Sequence, residues 1–241
     1  SLDLQSHRGP DGRGVFENDK FIFGHRRLSV IDLESHSDQP MISRCSNYVL
    51  VFNGEIYNYL ELKQDLLDKG YIFDTHSDTE VLLNSFIEYG IDCINKFIGM
   101  FAFCIFDKNK NETYLVRDRL GVKPLYYVQN DKEIVFSSEI KSILAIDKSY
   151  TQLNKQAISS YMSFRYPILN DTFFQGVNSL PPAHYLKISN STNVEMVEYW
   201  SFCNSFKEQK NDKGEEYYLK NLRSLLNSSV EYRMISDVPF G

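Results

Sequence analysis

Three short clusters hold the side chains that could do chemistry. The first joins His7-Arg-Gly-Pro-Asp11 to Gly24-His-Arg-Arg-Leu-Ser-Val-Ile-Asp32 and sets Arg26 and Arg27 beside a predicted strand. A guanidinium is a planar fork of donors that matches a carboxylate or a phosphate. The plainer alternative is an exposed ion pair, favoured when this cluster is taken alone. The second cluster is Val51-Phe-Asn-Gly-Glu-Ile-Tyr-Asn58, read as a strand running into a turn. Asn53-Gly54 can aim a side-chain amide and a backbone N–H at one point, the paired donors that an oxyanion hole requires. Seen alone, the dipeptide is more simply a turn. Glu55 then places a carboxylate in an otherwise apolar neighbourhood. The third cluster, Ser77-Asp-Thr-Glu80, fits a capping box, and the helix dipole favours Asp78 there without any function. In the functional reading, Asp78 accepts a bond from an ammonium group. Ser1 could act as a nucleophile with its own α-amine as base.

The elements that must position these residues are short strands broken by two helices. Phe21–Phe23, Tyr48–Phe52, Phe101–Phe106, Thr113–Val116, Leu125–Val128 and Glu133–Phe136 have strand composition. Polar turns at 107–111 and 129–132 predict hairpins, hence an antiparallel sheet rather than a βαβ series. One helix should run from Tyr57 to Lys69 and close on Gly70; a second should start at Ser77 and end at Gly90. Glu139–Ala145 and Asn154–Phe164 are shorter helix candidates. Residues 201–214 have linker composition, and 215–235 form an amphipathic helix with Leu219, Leu222, Leu225, Leu226 and Val230 at helical spacing.

Composition narrows the function. With 241 residues, 42% hydrophobic and 24% charged, the chain can fill one large domain or two small ones, and it is not disordered. No run approaches the roughly 20 apolar residues of a membrane span. The 26 basic and 32 acidic residues leave a net charge of −6, so no basic field invites a nucleic acid. Cys45, Cys93, Cys104 and Cys203 stand too far apart for a zinc site or a disulfide framework, which predicts a reducing, cytoplasmic setting and no metal. Two of the four sit in apolar runs, where a buried free thiol is expected.

Taken in order, HRGPDG, HRRLSVIDL, QPM, VFNGEIYNY, HSDTEVLL, GMFAFCIFD, VRDRLGVKPLYY, SSEIKSIL, LPPAHYL and SDVPFG resemble the glutamine-hydrolysing asparagine synthetases over nearly the whole chain. The resemblance implies an α+β fold: an N-terminal-nucleophile hydrolase-like αββα sandwich of two antiparallel sheets, followed by the first helix of an α/β synthetase domain. It assigns residues 1–200 to a class II glutamine amidotransferase domain and 201–241 to a linker and that helix. By resemblance, Arg27 pairs with the α-carboxylate of glutamine, and the backbone of Leu28 and Val30 helps to hold the substrate. Asn53 and Gly54 form the oxyanion hole, while Glu55 and Asp78 receive the α-ammonium. Buried charges are costly unless paired, so Arg27, Glu55 and Asp78 are expected to be partly exposed or water-bridged when the pocket is empty. Arg117 and Asp118 are expected to support the pocket rather than to catalyse.

Members of that family begin with a cysteine nucleophile, a strand and a helix ahead of HRGPD, whereas here Ser1–Ser6 alone precede it. The resemblance therefore sets Ser1 away from the catalytic centre, leaves the nucleophile and first strand outside this sequence, and predicts no activity for these residues alone. ATP and magnesium belong to a site beyond SDVPFG, and no cofactor is expected in the glutaminase domain. The implied partners are glutamine, aspartate and ATP, with no nucleic acid and no membrane; homodimers are common in the family. Two alternatives stand beside this reading. One is a related amidotransferase that serves another acceptor, a surface polysaccharide or a secondary metabolite. The other is a glutamine-binding module without catalysis.

Overall fold

The computed structural model describes residues 1–168, 170–190, 193–205 and 212–238. In chain order the elements are β1 (Gly12–Glu17), β2 (Ile22–Arg27), β3 (Met41–Ile42), β4 (Tyr48–Ile56), α1 (Tyr59–Asp68) and α2 (Asp78–Tyr89). Then come β5 (Gly99–Asp107), β6 (Glu112–Arg117), β7 (Tyr126–Gln129), β8 (Ile134–Ser137), α3 (Ile140–Leu144) and α4 (Lys155–Phe164). The chain continues through β9 (Asn178–Ser179), β10 (His184–Ile188), β11 (Val194–Glu198), α5 (Phe202–Ser205) and α6 (Glu215–Arg233). These elements gather into two compact units that alternate along the sequence.

The first unit takes Ser1–Ser29, Asp38–Glu55 and Met100–Tyr199. It holds a six-stranded sheet in the order β11-β10-β6-β5-β4-β3, a three-stranded sheet β8-β7-β9, and the ribbon β1-β2. The hairpins β5–β6 and β7–β8 are antiparallel, as the polar turns predict. Each turn is closed by a side chain: Asp107 accepts the N–H groups of Asn109 and Lys110, and Asn130 those of Lys132 and Glu133. One core cluster joins Phe23, Val49, Val51, Cys104, Leu115, Tyr127 and Leu186 from β2, β4, β5, β6, β7 and β10. Phe21 extends it, lying 4.3 Å from Phe23 and 4.6 Å from Phe106 between ring centres. Strands β1, β3, β9, β10 and β11 lie outside the sequence expectations.

The second unit takes Val30–Ser37, Ile56–Gly99 and Trp200–Gly241. Helix α1 ends as expected: Gly70 adopts φ +90°, its N–H bonds Leu67 O, and the Tyr71 N–H bonds Leu66 O. In α2 the capping box is only half realised. Ser77 accepts the Thr79 N–H, but Glu80 reaches past Ser77 to the N–H groups of Asp74 and Thr75 and to the Thr75 hydroxyl. The loop ahead of the helix offers those donors nearer to the carboxylate. Helix α6 ends at Arg233, two residues short of Ile235, and its apolar stripe is solvent-exposed. Its far end is anchored: the Tyr232 hydroxyl donates to Glu61, and the Arg233 guanidinium stacks 4.9 Å over the Tyr57 ring. Of the expected linker, 202–205 forms α5 and 206–211 lie outside the described residues, as do the last three of SDVPFG. No described helix is long and apolar enough to cross a membrane. Cys93 and Cys104 are buried free thiols, as expected.

Candidate functional site

The Asn53-Gly54 pair does not form a turn. β4 runs straight through it to Ile56, so the expectation of a strand ending there is corrected. The reason for glycine is close approach: a Cβ on Gly54 would stand 2.2 Å from Met100 O and 2.7 Å from Phe101 Cα on β5. Any larger residue would push β4 off β5. The Asn53 amide donates to Ser138 Oγ at 3.4 Å, and an amide has two N–H groups to give. Glu55 is half-buried; burial pushes its carboxyl above the usual range, while the charge of Lys123 pulls it back.

Just before this pair, Phe52 is held from the side by two residues that the sequence reading did not assign. Gln39 Oε1 accepts the Phe52 N–H at 2.6 Å, and His25 Nε2 donates to the Phe52 carbonyl at 3.0 Å. A carbonyl only accepts, so Nε2 carries the proton. Burial lowers the His25 pKa to about 4, which keeps the ring neutral, and its Nδ1 is buried without a hydrogen-bond partner. Both residues lie within motifs noted above, HRRLSVIDL and QPM, but nothing in those strings says what they touch.

Arg27 ends β2 with 7% of its surface exposed, and its guanidinium donates to Asp38 Oδ1 at 2.9 Å. Arg27 is thus not partly exposed, and a carboxylate of the same chain compensates it. Asp38 keeps half of its side chain in water, which lowers the penalty of the pair. Asp11 brackets the following residues, its N–H on Arg27 O and its carboxylate on the Ser29 N–H, with Leu28 exposed between them. The remaining candidates, Val30 and Asp78, belong to the second unit. Asp78 is buried rather than partly exposed, because its Oδ2 accepts the Ile56 N–H at 3.0 Å. Val30 gives its carbonyl to the Asp237 N–H, and Asp237 Oδ2 in turn accepts the Asp32 N–H at 2.7 Å. Asp32 is buried at φ +55°; burial alone would raise its pKa, but bonds from the His76 and Glu34 N–H groups, Ser37 and His36 outweigh that and bring it to about 2.

Arg117 and Asp118 hold the loop that follows β6. The buried Asp118 carboxylate accepts four backbone N–H groups: Leu120 and Val122 on Oδ1, Lys123 and Phe101 on Oδ2. Arg117 donates to the carbonyls of Gly121 and Lys123 and to Ser179 Oγ. This fixes the 117–123 loop and, through Phe101, the part of β5 that lies against Gly54. Among the described residues no group of three or more His, Cys, Asp or Glu could hold a metal.

Residues 1–200 match the family described as glutamine amidotransferase domain. The chain is 39% identical over 235 residues to the asparagine synthetase [glutamine-hydrolyzing] 1 of Bacillus subtilis, covering 98% of this chain and 36% of that protein. It is 34% identical to the amidase chry2 of Gibberella zeae, covering 99% of this chain and 35% of the other. It thus spans about a third of the length of these relatives. A solved structure of glutamine phosphoribosylpyrophosphate amidotransferase from B. subtilis superposes with a TM-score of 0.57 at 21% identity, over 83% of this chain and 45% of that one. That likeness is one of fold: α+β, with antiparallel sheets, of the N-terminal-nucleophile type.

Proposed function

Because the chain belongs to the glutamine amidotransferase domain family, we propose that it is the glutaminase part of a glutamine-dependent asparagine synthetase, releasing ammonia from glutamine for the ATP-dependent amidation of aspartate. Near-complete coverage by a relative of that name supports the reading. The observation that carries the chemistry is the fixed Asn53-Gly54 segment: Gly54 pressed on Met100 and Phe52 held on both sides make a rigid pair of donors. Donors that need no reorganisation stabilise a developing oxyanion most effectively.

In this proposal a cysteine thiolate, which the resemblance places ahead of Ser1, attacks the side-chain carbonyl carbon of glutamine. Negative charge moves to the carbonyl oxygen, where the Asn53 amide and the Gly54 N–H receive it. The α-amino group of that cysteine takes the thiol proton and passes it to the amide nitrogen, which leaves as ammonia, and water then cleaves the thioester to glutamate and the free thiol. Arg27 reads the α-carboxylate, with Asp38 compensating it in the free protein, while Leu28 and Val30 contribute backbone groups. The resemblance assigns the α-ammonium to Glu55 and Asp78. ATP and magnesium, which the resemblance places beyond SDVPFG, would supply the activation of aspartate there, and the protein works in the cytoplasm. A second reading, an amidotransferase with another acceptor, is favoured by the likeness to a protein named an amidase.

The test is glutamate release by the full-length gene product. Asn53→Ala should lower it about 100- to 1000-fold with ammonia-dependent synthesis intact. A full-length protein that binds glutamine without releasing glutamate would establish the binding module instead.

A further inference from the structure

Strand β3 contributes two residues and pairs only with Val49 and Leu50 of β4. Beyond Leu50, β4 keeps an edge whose backbone groups need partners, since an unpaired buried N–H or C=O is destabilising. At Phe52 two side chains supply them: Gln39 accepts from the N–H and His25 donates to the carbonyl. The approach is close on purpose. His25 pairs across the ribbon with Gly14, and a Cβ on Gly14 would stand 2.0 Å from Gln39 O. Gly14, His25, Gln39 and Phe52 thus form one brace within the first unit.

We propose that His25 is a positioning residue for the oxyanion donors, acting through the Phe52 carbonyl to fix the direction of the Asn53 amide and the Gly54 N–H. The inference rests on the glutaminase reading of those donors. The Phe52–Asn53 peptide is planar, so a carbonyl held at 3.0 Å also holds the Asn53 nitrogen, one bond from the Cα that carries the donating side chain. Asn53 in turn leads directly into Gly54, which β5 fixes from the opposite side through Met100. The imidazole is a costly choice for mere filling. Its Nδ1 is buried without a partner, whereas an apolar side chain of the same size would bury nothing polar. What the ring adds is the Nε2–H. A neutral ring is also the right one here: a cation beside the buried Arg27 would be repelled.

The experiment compares His25→Leu, which keeps bulk and loses the donor, with His25→Gln, whose amide nitrogen can reach where Nε2 stood. Both are made in the full-length protein, and kcat and KM for glutamine hydrolysis are measured alongside amide hydrogen exchange over residues 52–55. His25→Leu should lower kcat about 10- to 100-fold, part of what the loss of an oxyanion donor causes, and change KM less than about threefold. Exchange over 52–55 should quicken about tenfold or more. His25→Gln should restore both to within about threefold of the wild type. Unchanged kcat and exchange in the leucine variant would overturn the proposal, as would a folded glutamine variant no better than the leucine one. If His25→Leu does not fold, the glutamine variant decides alone: retained kcat and protection support the role, their loss refutes it. If the wild-type protein releases no glutamate, the functional reading fails, and the exchange comparison still decides whether His25 holds this segment.

Discussion

Replacing Asp118 with asparagine should cost about 3 kcal/mol of stability. The carboxylate accepts N–H groups at 3.1 and 3.0 Å on one oxygen and at 3.0 and 3.3 Å on the other, with only 1% of the residue exposed. Asparagine keeps one oxygen. If that oxygen stays with Leu120 and Val122, its NH2 meets the N–H groups of Lys123 and Phe101, donor against donor. Each hydrogen bond to a charged group contributes about 1.5–3 kcal/mol net, so two lost bonds come to roughly 3–6 kcal/mol. The asparagine gains back part of this, because a neutral amide is easier to bury than a carboxylate. The net is a large share of the roughly 5–15 kcal/mol that hold a typical domain together. Urea unfolding of wild type and variant at neutral pH measures the difference, provided the m-value is unchanged. A loss below about 1 kcal/mol would refute the view that this carboxylate organises the loop.

Two further outcomes are expected. Arg27→Ala should raise KM for glutamine at least about tenfold while sparing ammonia-dependent synthesis, since the abandoned Asp38 is half in water and the fold survives; paired kinetic assays with glutamine and ammonia check this, and equal loss of both contradicts the clamp. Asp32 titrates near 2 in the folded chain, below its unfolded value, so its stabilisation is complete above about pH 4 and is lost as the pH falls toward 2. That amounts to about 2 kcal/mol. Unfolding midpoints at pH 6 and pH 2.5 should show the loss in the wild type, and Asp32→Asn should have a smaller slope.

The helices were legible because their signals are local. Gly70 and Gly90 stop α1 and α2, and Asn154 caps α4 by accepting from Gln156 and Ala157 N–H groups. The hairpins were legible for the same reason. β11 was not, because an exposed edge strand with Glu195 and Glu198 carries little apolar pattern to read. Asn53-Gly54 reads as a turn in any string, and only the closeness of Met100 reveals why glycine stands in a strand. Asp38, Gln39 and His25 were hidden in another way. Their partners, Arg27 and Phe52, lie 11, 13 and 27 residues away, and no spacing rule links them.

Val30 and Asp32 are bound by Asp237, 205 residues later than Asp32 in the chain. At synthesis rates of about 5–20 residues per second, the early loop leaves the ribosome some tens of seconds before its partner is made. Until then the Val30 carbonyl and the Asp32 amide must be satisfied by water. A chain halted at residue 200, where the family match ends, would lack both bonds for good. The loop of Val30 and Asp32 thus reaches its final form only once Asp237 has been made.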